Sequence, residues 1–119
     1  MNINFIEHQG ILIAELISDT IEITTTPEAL DIMADCSYNK VYRIIFHEEN
    51  ITPAFFDLKT GIAGDILQKF STYRMQLAIV GDFSKYTSQS LKDFIYESNK
   101  GRQVIFVNTL EEALERLGK

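Results

Sequence analysis

Ile3, Phe5 and Glu7 alternate with Asn4, Ile6 and His8, and after Gln9-Gly10 the run Ile11 to Ile17 is again rich in strand-forming side chains. Two such runs about a short break containing glycine predict a β-hairpin. Thr26-Pro27-Glu28 then predicts a helix start. Thr26 can cap free backbone N–H groups, Pro27 has none to lose, and Glu28 meets the positive end of the helix dipole. Ala29, Ile32, Met33 and Cys36 follow at i, i+3, i+4 and i+7, which makes one apolar face that ends at Tyr38-Asn39-Lys40. Val41 to Phe46 reads as a strand apolar on both faces apart from Arg43, and the polar cluster His47-Glu48-Glu49-Asn50 comes directly after it.

Ile51 to Phe56, with Pro53, reads as a loop or short turn, and Asp57 as the cap of a helix over Leu58 to Tyr73. Leu58, Ile62, Ile66, Leu67 and Phe70 form its apolar face. Gly61 and Gly64 fall inside it, and since each costs ~1 kcal/mol against alanine, the pair points to a close backbone approach. Met75 to Val80 is the next strand, stopped by Gly81-Asp82-Phe83-Ser84. Thr87 or Ser88 opens a helix that buries Leu91, Phe94 and Ile95 and stops near Asn99-Lys100-Gly101, where Asn99 or Gly101 can turn left-handed. Val104 to Val107 is the last strand, and Thr109-Leu110-Glu111-Glu112 is a capping box for a helix with the stripe Leu110, Ala113, Leu114 and Leu117.

The order β-β-α-β-α-β-α-β-α, with apolar strands between amphipathic helices, predicts an α/β fold. Its expected form is a single-layer, mainly parallel five-stranded sheet with flanking helices and the hairpin strand antiparallel at one edge. No linker, repeat or biased tract divides residues 1–119, so one domain is expected.

Composition narrows the function classes. With 45% hydrophobic residues the chain can bury a core. A net charge of −6 argues against nucleic acid or an anionic membrane surface as partner. No apolar window reaches the ~18 residues of a membrane span, no basic leader precedes an apolar run, and Cys36 is the lone cysteine. These features lead to the expectation of a cytoplasmic protein.

Two resemblances add to this reading. The element order and the C-terminal half, from Leu77-Ala78-Ile79-Val80-Gly81-Asp82 through Val104-Ile105-Phe106-Val107 to Leu110-Glu111-Glu112-Ala113-Leu114, resemble the STAS (SpoIIAA-like) fold of sulphate transporters and anti-sigma factor antagonists. Nearly the whole chain resembles a bacterial family known as domain of unknown function 4180. The stretches that carry this are His47-Glu48-Glu49-Asn50, Phe55-Phe56-Asp57-Leu58, Thr60-Gly61, Gly64, Tyr73-Arg74, Gly81-Asp82-Phe83-Ser84 and Glu97-Ser98-Asn99-Lys100-Gly101. The STAS resemblance implies a module that binds a protein or senses a ligand, switched by phosphorylation near the start of the second helix. Thr60 in Asp57-Leu58-Lys59-Thr60-Gly61 is the matching hydroxyl, although the stretch is one residue longer than that family's and Lys59 replaces a small residue. The plainer role for Thr60 is capping its own helix.

The strongest site candidate is His47-Glu48-Glu49-Asn50, because ligands of open α/β sheets gather beyond the carboxyl ends of the strands. Asp82 and Ser84 follow the next strand and should share that edge. This set could offer oxygens to a hard cation or His47 to zinc, but no second histidine stands at useful spacing, and the favoured reading is solvated carboxylates with His47 or Asn50 bonding the loop backbone. No metal or other cofactor is therefore expected. Cys36 lies on a buried helix face, and no serine is framed as Gly-x-Ser-x-Gly, so no catalytic residue is assigned. Lys100 and Arg102 complement a helix C-terminus, with an anion contact at Arg102 the weaker reading. The sequence thus favours a non-catalytic module for a protein partner or small ligand, and a homodimer is compatible with it. The competing reading is a metal- or carboxylate-dependent enzyme around His47 and Asp82.

Overall fold

Gln9 and Gly10 both adopt positive φ, 52° and 82°, and they alone separate β1 (Asn2–His8) from β2 (Ile11–Ile17). Two consecutive left-handed residues twist a turn in the sense the flanking strands need, so the expected hairpin forms with its seven residue pairs in unbroken register. The computed structural model describes residues 1–119. The later elements are α1 (Thr26–Tyr38), β3 (Arg43–His47), α2 (Ile62–Thr72), β4 (Gln76–Val80), α3 (Gln89–Lys100), β5 (Val104–Val107) and α4 (Leu110–Leu117).

The strands lie in sequence order, β1-β2-β3-β4-β5, in one sheet. β1 and β2 are antiparallel, and β2 through β5 pair in parallel. The sheet is thus mixed rather than mainly parallel, and its longest ladder is the antiparallel one. The hairpin contributes two full-length strands, whereas each parallel crossover supplies only four or five residues.

Side-chain alternation sorts the core onto two faces. Ala14, Leu16, Ile44, Phe46, Leu77, Ile79, Val104 and Phe106 point to one face, where α1, α2 and α3 add Ala29, Ile32, Met33, Cys36, Ala63, Ile66, Phe70 and Leu91. Ile13, Ile45, Ala78, Val80, Ile105 and Val107 point to the other, where only α4 covers them, through Ala113 and Leu117. A chain that steps one strand at a time in one direction, with crossovers of one hand, lays every crossover helix on the same face. α4 follows the last strand, escapes that constraint and folds over the bare side.

Three local expectations are corrected. The cap of α1 is Thr25, not Thr26, and Glu28 reaches back to accept from the Thr24 and Thr25 backbone N–H groups at 2.8 and 3.0 Å. The Thr24 hydroxyl, which also donates to this carboxylate, and then these backbone bonds hold its carboxyl below the usual carboxylate range. The helix expected over Leu58 to Tyr73 is two pieces: a 3-10 turn over Leu58–Thr60, then α2 from Ile62. Gly61, at φ 79°, breaks them apart, and space is open around Gly61 and Gly64 alike. These glycines therefore mark a left-handed hinge and an exposed helix position, not a close backbone approach. Finally, neither Asn99 nor Gly101 turns left-handed. Asn99 remains helical and extends its amide to β5, accepting from Phe106 N–H at 2.7 Å and donating to Phe106 C=O at 3.1 Å.

Candidate functional site

The polar tetrapeptide after β3 does not act as one group. The last strand residue, His47, shares the α4 face with Ile45, and its Nε2 lies 2.6 Å from Oε2 of Glu15, whose side chain is 9% exposed. Glu15 is the one charged residue within Ile11–Ile17, and a carboxylate this deep needs such a partner.

Glu48 leaves the strand toward the opposite face. Its Oε2 accepts from the Tyr86 hydroxyl at 2.5 Å and from Lys85 Nζ at 2.7 Å, and its side chain is only 11% exposed. Gly81 makes this packing feasible: a Cβ there would sit 2.6 Å from Glu48 Cβ and 2.7 Å from its Oε1. Tyr86 stacks on Phe56 with centroids 5.1 Å apart, and Phe56 in turn meets Phe83, which lies edge-on to Phe106. Burial, then the bond to Glu48, pushes the Tyr86 hydroxyl above the ordinary tyrosine range. The carboxylate thus ties the connection after β3 to the connection after β4.

The other candidates serve their own loops. Asn50 is buried and donates to the carbonyls of Ser18 and Thr20 at 2.9 and 2.8 Å. Its own carbonyl accepts from Glu22 and Ile23, so it pins the segment between β2 and α1. Glu49 is exposed. Asp82 folds back on Ser84, accepting from its hydroxyl at 2.6 Å and its N–H at 3.0 Å. Those bonds lower the Asp82 carboxyl below its usual range. Thr60 Oγ1 lies 2.8 Å from the Ala54 carbonyl and 2.9 Å from that of Asp57, closing the 3-10 turn. Burial pushes the Cys36 thiol up to about 11, which makes it an inert core group.

The structure therefore unites Glu48 with Lys85 and Tyr86, and gives His47, Asn50, Asp82 and Thr60 separate partners. No three His, Cys, Asp or Glu side chains converge as metal ligands would. Sequence reading missed Glu15, Lys85, Tyr86 and Gly81. The isolated charge in an apolar strand signals the first, and a glycine directly after a strand signals the last. Lys85 and Tyr86 are adjacent in the sequence, and the group they share is the Glu48 carboxylate.

Beside the tie, the connections after β3 and β4 border an open pocket of about 360 Å³ lined by Phe56, Asp57, Lys59, Lys85, Tyr86 and Ser88, among others. A larger open groove, about 650 Å³, lies at the amino ends of β3 and β4 between α1 and the end of α2. Apolar Leu30, Met33 and Met75 line it, with Asp31 as its one ionisable carboxylate.

These features define an α/β domain with a mixed five-stranded sheet whose charged groups meet where the parallel strands end. The chain belongs to the family described as domain of unknown function 4180, whose model matches residues 8–117. No curated protein and no solved structure matches it. No helix is long and apolar enough to cross a membrane.

Proposed function

We propose that this chain is a cytoplasmic regulatory module of the STAS (SpoIIAA-like) kind, without catalysis, that binds a protein partner or a small ligand at the carboxyl ends of β3 and β4. The observation carrying this reading is the Glu48 carboxylate, held over Gly81 by Tyr86 and Lys85, which fixes the rim of the 360 Å³ pocket. The strand order and the hairpin at one edge are compatible with that fold. The smaller pocket is favoured over the larger groove because lysine, hydroxyl and carboxylate groups meet in it, and such convergent polar groups orient a ligand. Thr60 is the proposed modification position. Phosphorylation would remove the proton that its hydroxyl gives to the turn over residues 54–60, next to Lys59 and the pocket. The enzyme reading around His47 and Asp82 is disfavoured, since one side chain turns to Glu15 and the other to Ser84.

The test is a thermal-shift screen of nucleotides, phosphorylated metabolites, small acids and metals, on wild type beside Lys85→Gln. A ligand at about one hundred times its dissociation constant adds ~2.7 kcal/mol, enough to move the melting point by several degrees. A shift lost in Lys85→Gln supports a strand-end site. A shift kept in full by Lys85→Gln places the ligand elsewhere, and turnover depending on His47 replaces the module with an enzyme.

A further inference from the structure

The two edges of the sheet are finished differently. At β5, the Asn99 amide satisfies both the N–H and the C=O of Phe106, and Arg116 bonds the Asn99 carbonyl at 2.9 Å to hold that helix end in place. The opposite edge, β1, has no such cover. Asn2–His8 runs seven residues in unbroken register with β2, so no bulge twists it away, and it contains no proline and no lysine. These are usual devices that keep a strand edge from pairing, and β1 offers only the single charge of Glu7 in their place.

Two exposed apolar side chains, Phe5 and Leu12, lie on one face of the hairpin that ends in this edge. Apart from tyrosines, every large apolar residue with a strongly exposed side chain lies within residues 1–21: Met1, Phe5, Leu12, Ile17 and Ile21. Phe5, 44% exposed, pairs with Ala14, and Glu7 pairs with Leu12, so Phe5 and Leu12 share the face that carries α1, α2 and α3. A free edge offers a row of N–H and C=O groups that only another strand satisfies in full.

We propose that β1 is a homodimer interface, in which two copies pair their Asn2–His8 strands antiparallel about a two-fold axis through Phe5. Identical antiparallel strands related by an axis normal to the sheet must place one residue opposite itself. Phe5 is the middle of the strand, so only this register engages all seven residues. It sets Phe5 against Phe5, Asn4 against Ile6, Ile3 against Glu7 and Asn2 against His8, and no two like charges face each other. The aromatic pair would cover the exposed Phe5 and lie beside Leu12 of each copy. This inference is independent of the ligand reading above.

Light scattering coupled to size-exclusion chromatography, across a concentration series at about 0.15 M salt, tests it. At that ionic strength the charge of −6 on each copy is screened beyond ~8 Å. The expected wild-type mass at high concentration is twice the 13.6 kDa of one chain, and Phe5→Lys is expected to run at 13.6 kDa with an unchanged circular dichroism spectrum. Mixing Phe5→Lys with Phe5→Glu restores the dimer, because each position 5 then meets its opposite charge. Hydrogen exchange on wild type alone should show Asn2–His8 amides slowing as concentration rises, a readout that needs no variant to fold. A wild type at 13.6 kDa throughout, a dimer that survives Phe5→Lys, or β1 amides indifferent to concentration each overturns the proposal.

Discussion

Three helices press on one face of the sheet and a single short helix on the other, and the consecutive residues His47 and Glu48 anchor a polar pair on each side. On the crowded side the carboxylate lies at the rim of an aromatic stack, with a phenol and an ammonium as partners. On the sparser side an acid nearly buried on the sheet itself is matched by an imidazole one strand away. The difference teaches that the face under three helices places its buried carboxylate just past the strand end, at Glu48. The face with one helix holds a carboxylate on the sheet itself, at Glu15 within β2, and meets it with His47, the last residue of β3.

Adjacent core positions of β3 give the largest effect. Ile44 and Ile45 are both fully buried, the first under the three helices and the second under α4. Truncation to alanine costs about 2–5 kcal/mol depending on how far the surroundings collapse. Ile44→Ala is expected near ~4 kcal/mol, because three mutually packed helices relax little. Ile45→Ala should fall near ~2 kcal/mol, because α4 can settle into the gap. Equal urea midpoints for the two variants would remove the asymmetry between the faces.

The polar pairs come next. His47→Ala strands the Glu15 carboxylate and should cost about 2–3 kcal/mol, with His47→Gln recovering part of it through its amide donor. Chemical denaturation of both variants checks this, and equal losses would mean that His47 acts through packing alone. Tyr86→Phe removes a bond to a charged group and should cost about 1–2 kcal/mol at neutral pH. Its pH dependence has a definite sign. The hydroxyl's pKa is raised in the folded chain, so its stabilisation is complete below the ordinary tyrosine value of ~10 and fades above it, as the unfolded chain loses the proton first. The gap between wild type and Tyr86→Phe should therefore narrow above that pH in denaturation curves. A gap that widens there would contradict the burial of the hydroxyl.

The smallest effect has the opposite sign. Gly64 sits in α2 with open space around it, so Gly64→Ala should raise stability by about 0.4–1 kcal/mol, read as a higher melting temperature. Gly61→Ala, at φ 79°, should lower it.

What could be read from the chain beforehand was whatever a short window decides. Gln9-Gly10 carries its own turn preference, Ser88 and Thr109 cap their helices by accepting from N–H groups three residues on, and the stripe of α4 repeats with the helix. Cys36 on a buried stripe was also legible. The fate of His47 and Glu48 was not, since their partners stand 32 and 38 residues away and consecutive strand residues face opposite ways. Gly61 escaped because a helical stripe continues across it, although its left-handed backbone ends one turn and starts another. Asn99 escaped for a related reason: the two groups it satisfies belong to β5, and nothing in its own helix shows that a strand edge lies beside it.

That single asparagine has a consequence for how far this molecule can assemble. A protein with two adhesive edges adds copies without limit and grows into fibres, whereas one with a blocked edge can join at most one neighbour through its strands. By occupying both groups of Phe106, Asn99 withholds them from any other strand, so growth by pairing through β1 would stop at two copies.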